Sequence, residues 1–98
     1  MAKRIIVWSE DAKFELKYIL EFYSIRNKSK TYSKNLYKRL QTELNLLVLQ
    51  PGIGKKTDLI NVRGLIIENH ILYYEANENN IVILSIWDTR QNPERLKL

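Results

Sequence analysis

The chain has 98 residues, which suits one domain and hardly two, so we expect a single domain over residues 1–98. A hydrophobic fraction of 45% argues against disorder and allows a core. The absence of cysteine excludes disulfides, thiolate zinc sites and a thiol nucleophile, and one histidine, His70, disfavours a histidine metal site. Sixteen Lys and Arg against 11 Asp and Glu give a net charge of +5, which suits nucleic acid, a membrane surface or an acidic protein.

No segment of the sequence predicts export or insertion into a membrane. The apolar run at residues 5–8 is too short for the core of a signal peptide, and no stretch approaches the ~20 apolar residues of a membrane span. We therefore expect a cytoplasmic protein without a membrane partner, a metal or a small-molecule cofactor.

The chain begins with a predicted strand and a predicted helix. Residues 4–8 are β-branched and apolar on both faces, which predicts a buried strand. Ser9 is a good N-cap residue, and apolar residues then recur at helical spacing to Arg26, where Asn27 ends the helix. A second apolar row widens the apolar surface, so this helix either packs on two neighbours or offers one face to another protein. This second row consists of Phe14, Tyr18 and Phe22.

A second helix is predicted from Ser29 or Thr31 to the Pro51-Gly52 stop. The short joint between the two helices favours an antiparallel hairpin. Residues 26–39 hold six basic side chains and no acidic one. This basic helix face either binds phosphate or an acidic partner, or is simply solvated.

A loop and three strands are predicted in the second half of the chain. The loop spans residues 52–61, and the strands span residues 62–68, 70–75 and 81–87. The last strand is apolar on both faces, which predicts a central, covered position. The order β-α-α-β-β-β predicts an α+β fold in which a helical hairpin packs on one face of a mainly antiparallel sheet.

A set of basic residues surrounds the three predicted strands. Lys55 and Lys56 lie in the loop before them, Arg63 begins the first strand, and Arg90 and Arg95 follow the last. We expect the start of the first strand and the end of the last to share one rim, so that Arg63 and Arg90 converge. Two guanidinium groups at one place bind phosphate or carboxylate through paired hydrogen bonds. Alternatively, each arginine pairs with a local acid or caps a strand.

His70 is the one side chain whose ordinary pKa lies near neutral pH. It is interpreted either as a general acid or base, or as a surface residue in a turn. Tyr23, Tyr73 and Tyr74 either stack on bases or pack in the fold. The sequence contains no P-loop, dinucleotide-binding fingerprint, zinc spacing or nucleophile elbow, so these enzyme classes lack support.

Several short motifs follow one another in the order and spacing of a known family. They are Val7-Trp8-Ser9, Pro51-Gly52-Ile53-Gly54, Val62-Arg63-Gly64-Leu65, Ile71-Leu72-Tyr73-Tyr74-Glu75 and Trp87-Asp88-Thr89-Arg90-Gln91-Asn92-Pro93. Over nearly its whole length the chain resembles the RelE/ParE superfamily of toxins from bacterial type II toxin–antitoxin modules, also called plasmid stabilisation proteins. The resemblance implies a growth-arresting toxin and a cognate antitoxin that wraps it with a helix and an extended segment, forming a hetero-oligomer.

The resemblance also implies one of two targets. RelE-like toxins cleave mRNA on the ribosome, whereas ParE-like toxins inhibit DNA gyrase without catalysis of their own. The basic set slightly favours a ribosome-dependent mRNA interferase, an endoribonuclease in which Arg63 and Arg90 hold the scissile phosphate and His70 transfers a proton. Nucleic-acid contacts are then expected from Lys55, Lys56 and Arg95. The alternatives are a gyrase inhibitor and a non-toxic interaction domain. The sequence departs from the RelE-like nucleases at one position, because Ile71 stands where they carry a characteristic arginine.

Overall fold

A computed structural model describes residues 4–89. Within that range the elements are β1 (Ile5–Trp8), α1 (Glu10–Arg26), α2 (Thr31–Leu49), β2 (Lys55–Lys56), β3 (Val62–Ile67), β4 (His70–Ala76) and β5 (Asn80–Asp88). The strands form one sheet in the order β1-β5-β4-β3-β2. β1 is parallel to β5, and every other neighbouring pair is antiparallel. The predicted α+β class, with a helical hairpin on a mainly antiparallel sheet, is confirmed.

The start of α1 is fixed by Ser9, as its residue type predicts. The Ser9 hydroxyl accepts a hydrogen bond from the Ala12 amide at 3.1 Å and donates one to the Leu84 carbonyl at 3.1 Å. Glu10 and Asp11 in the first turn place negative charge at the positive end of the helix dipole. The same serine therefore caps α1 and ties its first turn to β5.

The core lies between the helical hairpin and one face of the sheet. Leucines of α2 recur at helical spacing, and alternate residues of β4 and β5 point toward them. The core residues that are at most 3% exposed include Leu36, Leu40, Leu44, Leu47, Leu72, Tyr74, Ile81, Ile83 and Ile86. Both helices therefore pack on the same face of the sheet.

The opposite face of the sheet, here called the open sheet face, carries the other alternate residues of each strand. By the strand register it consists of Ile5, Val7, Lys55, Val62, Gly64, Ile66, Ile71, Tyr73, Glu75, Asn80, Val82, Ser85 and Trp87. Ile5 is 67% exposed and Ile66 is 59% exposed. The prediction that the first strand is buried is therefore wrong, because β1 is an edge strand with Ile5 and Val7 on the open sheet face.

Along the second half of β5, beyond the end of β1, a side chain of α1 accepts hydrogen bonds from the strand. β1 pairs with β5 only as far as Ile83, and a bulge in β5 follows at once. There the Glu15 carboxylate accepts hydrogen bonds from the Ser85 hydroxyl at 3.0 Å and from the Ile86 amide at 3.3 Å. The Glu15 side chain thus accepts the hydrogen bond of the Ile86 amide, because β1 is too short to pair with β5 at that point.

β2 lies within residues 52–61, for which the sequence pattern predicts a loop. Its two residues pair with Gly64 and Arg63 of β3. Two residues are too few to show an alternating pattern, and both are lysines, so the sequence carries no strand signal there.

The contact between α1 and β5 leads to a stability prediction. Replacing Glu15 with Ala leaves the Ile86 amide without its partner, so we expect the free energy of unfolding to fall by about 1–3 kcal/mol. Urea denaturation followed by circular dichroism measures the change. Glu21→Ala is the matched control, because Glu21 forms only an exposed ion pair with Lys17 at 4.0 Å. Equal losses in the two variants would contradict the role given to Glu15.

Candidate functional site

The structure brings two of the predicted basic residues together where β2 pairs with β3. Lys56 lies opposite Arg63, and Lys55 lies opposite Gly64. Directly opposed residues share a face, so Lys56 and Arg63 lie on the helix side of the sheet and Lys55 lies on the open sheet face. A cavity of about 350 Å³ beside them is lined by Lys56, Arg63 and Asn61, among others. The predicted basic set is therefore only partly assembled.

The Arg63 guanidinium also holds the loop that follows α2. Its Nη1 donates a hydrogen bond to the Gly54 carbonyl at 2.9 Å. The buried Tyr74 hydroxyl beneath this loop donates to the Pro51 carbonyl at 2.6 Å and accepts from the Gly54 amide at 3.0 Å. Burial raises the pKa of Tyr74, while the Gly54 amide and the positive charge of Arg63 act against that shift. Arg63 therefore has a structural contact in addition to any role in binding.

Gly54 fits this loop because it lacks a side chain. A Cβ atom there would lie 2.7 Å from the Tyr74 hydroxyl oxygen and 2.8 Å from a carbon of its ring. No larger residue allows the loop to close on Tyr74 without displacing that ring, so the glycine of the Pro51-Gly52-Ile53-Gly54 motif has a packing function.

The prediction that the start of the first of the three strands and the end of the last share one rim is wrong. β3 and β5 are both antiparallel to β4, so they run in the same direction, and the start of one lies at the opposite end of the sheet from the end of the other. Arg63 is opposite Tyr74, whereas Asp88 of β5 is opposite His70 at the far end of β4. Arg90 and Arg95 lie outside the described residues, and the roles predicted for them stay predictions.

His70 is the first residue of β4 and is 0% exposed, so its interpretation as a surface residue is wrong. Its Nε2 lies 3.9 Å from Asp88 Oδ2, which also accepts a hydrogen bond from the Tyr23 hydroxyl at 3.0 Å. Within residues 4–89 neither ring nitrogen of His70 has a hydrogen-bond partner. Proton transfer by His70 stays a prediction, and in this position the ring has no access to a substrate at the surface.

The buried imidazole leads to a pH prediction. Burial lowers the pKa of His70, while the carboxylates of Asp88 and Glu68 and the backbone at Ile67 act against this shift. In the unfolded chain the same ring is protonated near its ordinary pKa of 6.5, so below that pH the unfolded state binds more protons than the folded state. We therefore expect the free energy of unfolding to decrease as the pH falls from about 7.5 to about 5.5.

The variant His70→Gln isolates this contribution from those of the carboxyl groups. Urea titrations of both proteins at the two pH values should show a smaller pH dependence in the variant, because glutamine does not titrate. An identical pH dependence in the two proteins would contradict the lowered pKa.

An apolar groove lies between α1 and α2, with a volume of about 420 Å³. Its apolar lining comes from Trp8, Leu16, Leu20 and Tyr37. Its polar lining residues are exposed, and they are Lys13, Lys17, Glu21 and Gln41. The groove was not predictable from the α1 sequence alone, because it depends on how closely α2 approaches α1.

The second apolar row of α1 does not pack in the core. Phe14, Tyr18 and Phe22 are exposed, as is Ile25 one turn further on. α1 itself packs on two neighbours, β5 and α2, and this row lies outside both contacts. A protein partner for the row stays a prediction.

Two further classes of site are without support in the part of the chain that the structure describes. No group of three or more His, Asp and Glu side chains among residues 4–89 is placed to hold a metal ion. No helix in that range combines the length and the apolar character that crossing a membrane requires.

Solved structures with this fold include the chromosomal ParDE toxin–antitoxin system from P. aeruginosa, with a TM-score of 0.75 and 17% identity over 90% of this chain and 98% of that one. The YoeB dimer from Staphylococcus aureus gives a TM-score of 0.60 and 24% identity over 88% of this chain and 97% of that one. The E. coli DinJ–YafQ toxin–antitoxin complex gives a TM-score of 0.57 and 11% identity over 89% of this chain and 93% of that one. At these identities the comparison establishes the shared fold.

The family is established by sequence. No curated protein sequence matches the chain. The model of the ParE toxin family, described as the ParE toxin of the type II toxin–antitoxin system parDE, matches residues 6–93. Because that match spans nearly the whole chain, the chain belongs to the ParE toxin family and is the toxin component of a type II toxin–antitoxin module.

Proposed function

We propose that this toxin arrests growth by binding DNA gyrase and blocking supercoiling, without catalysis of its own. The observation that carries the proposal is the chemistry of the open sheet face. Among its described residues only Lys55 and Glu75 are charged, and apart from the polar Asn80 and Ser85 and the glycine Gly64 the others are aliphatic or aromatic. An extended apolar surface of this kind is typical of a face that binds a protein rather than a phosphate backbone.

The positions of the predicted catalytic residues also support binding. Cleavage of RNA through its 2′-OH requires a base, an acid and positive charge at phosphorus. Among the described residues His70 is buried, the Arg63 guanidinium donates to the Gly54 carbonyl, and the two loop lysines lie on opposite faces. These groups are not arranged around one accessible point.

A ribosome-dependent mRNA interferase is the second candidate. The observation in its favour is the pairing of Lys56 with Arg63 beside a cavity of about 350 Å³, which suits a phosphate group.

An experiment with purified gyrase distinguishes the two candidates. We expect the wild-type toxin to inhibit supercoiling by the purified enzyme. In cells in which the toxin is induced, primer extension should detect no breaks in mRNA. Ile66→Asp places a charge on the open sheet face and should weaken inhibition about tenfold or more, because the charge then lies within the interface. Leu49→Asp is the control, because Leu49 is 67% exposed at the end of α2 and does not lie on that face. Unimpaired gyrase together with codon-positioned breaks in mRNA would contradict the proposal and favour the interferase.

A cognate antitoxin accompanies a toxin of this family, and we propose that it docks in the α1–α2 groove. The apolar lining of the groove includes Leu16 and Leu20, and the exposed Lys13 and Lys17 border it. This combination suits an amphipathic helix with acidic residues along its flank.

The docking proposal predicts a charge dependence of antitoxin binding. Lys17→Glu should lower the affinity for the antitoxin, because it places a negative charge beside an acidic helix. Lys55→Glu is the control, because Lys55 lies in β2, outside the groove. Titration calorimetry measures both affinities, and an equal effect of the two substitutions would contradict docking in the groove.

A further inference from the structure

Four large apolar side chains form an exposed row along α1, here called the α1 stripe. Phe14 is 73% exposed, Tyr18 53%, Phe22 44% and Ile25 77%. Their spacing of four, four and three residues places them on one side of the helix. The Tyr18 and Phe22 rings stack at a centroid distance of 6.4 Å, which makes the middle of the row a continuous aromatic surface.

The α1 stripe is separate from the α1–α2 groove. At about 100° per residue, the stripe lies more than a third of a turn around α1 from Leu16 and Leu20, which line the groove. It is also outside the core, which receives Ala12, Ile19 and Tyr23 from the same helix. A helix lying in the groove therefore does not cover the stripe, which stays available to a different occupant.

The charges along α1 indicate what that occupant is. Glu10 and Asp11 lie in its first turn, Arg26 lies in its last turn, and Lys28 follows the helix. The middle of the α1 stripe falls between Tyr18 and Phe22, almost equally far from the acidic and the basic ends. A second α1 in the antiparallel direction therefore places opposite charges side by side at both ends, whereas a parallel one places like charges together.

We propose that two copies of this chain associate through their α1 stripes, with the α1 helices antiparallel across a two-fold axis. Such an axis repeats each contact, so one self-complementary surface serves both copies. Glu10 and Asp11 of each copy then face Arg26 and Lys28 of the other, and the aromatic rows pack between these charged ends. This association is independent of the target proposed above.

The size of the stripe sets the expected strength of the association. At 150–250 Å² for a large aromatic side chain, the exposed parts of the four residues amount to about 500 Å² in each copy. Two such surfaces, with their flanking residues, reach the lower end of specific protein interfaces. We therefore expect a dimer with a dissociation constant on the order of micromolar rather than an obligate one.

Sedimentation equilibrium of the purified chain tests the proposal. The wild type should show a monomer–dimer equilibrium, and Phe14→Glu or Tyr18→Glu should weaken it about tenfold or more, because each places a charge within the packed rows. Leu49→Glu is the matched control and should leave the equilibrium unchanged. A wild-type chain that remains monomeric at about 100 µM would overturn the proposal. So would a dimer that is unaffected by the stripe variants but lost in the control.

The antiparallel geometry has a test of its own. Asp11→Lys and Arg26→Glu should each weaken self-association, because each brings like charges together twice. An equimolar mixture of the two variants should associate more strongly than either alone, since Lys at position 11 then meets Glu at position 26 and the native pair forms at the other end. Circular dichroism verifies that both variants keep the fold, and a mixture no stronger than the separate variants rules out this geometry.

Discussion

Both helices of this protein pack on the same face of the sheet, and the remaining surfaces follow from that arrangement. The helix-facing residues of β4 and β5, such as Leu72 and Ile83, are fully buried beneath α1 and α2. The alternation of side chains along a strand then directs the other half of the strand residues to the opposite face. Because those residues are also largely apolar, the part of the chain between residues 4 and 89 leaves an apolar sheet surface outside its core.

The same arrangement explains the position of the charged and polar groups. Lys56 and Arg63 meet at one end of the sheet, next to the loop after α2, while His70 and Asp88 lie at the other end beneath α1. A catalytic centre needs such groups around one accessible point. Here the described cations and the histidine are separated along the strands, which is why we propose binding rather than cleavage.

Local signals predicted the helices accurately because their ends depend on neighbouring residues. Ser9 caps α1, Asn27 ends it, and Pro51 lies just beyond the end of α2. The three long strands and the class of fold were also predictable, since their hydrophobic patterns are continuous. β2 was not, because a pair of exposed lysines carries no such pattern.

The features that the sequence did not predict depend on tertiary arrangement. The apolar pattern of β1 does not tell a strand in the middle of a sheet from an edge strand that contributes to an apolar surface. The prediction of one rim for the start of β3 and the end of β5 failed on strand direction, since the first and third strands of a meander are parallel. The burial of His70 depends on how α1 packs, because Tyr23 approaches the imidazole from that helix.

We propose that the open sheet face binds the target. The absence of native cysteine makes a direct measurement possible, because Ile66→Cys introduces a single thiol on that face and Leu49→Cys introduces one away from it. Alkylation rates are then measured for each thiol with and without gyrase. We expect gyrase to slow alkylation of the thiol from Ile66→Cys and to leave alkylation of the thiol from Leu49→Cys unchanged. An alkylation rate of the thiol from Ile66→Cys that saturating gyrase leaves unchanged would contradict this.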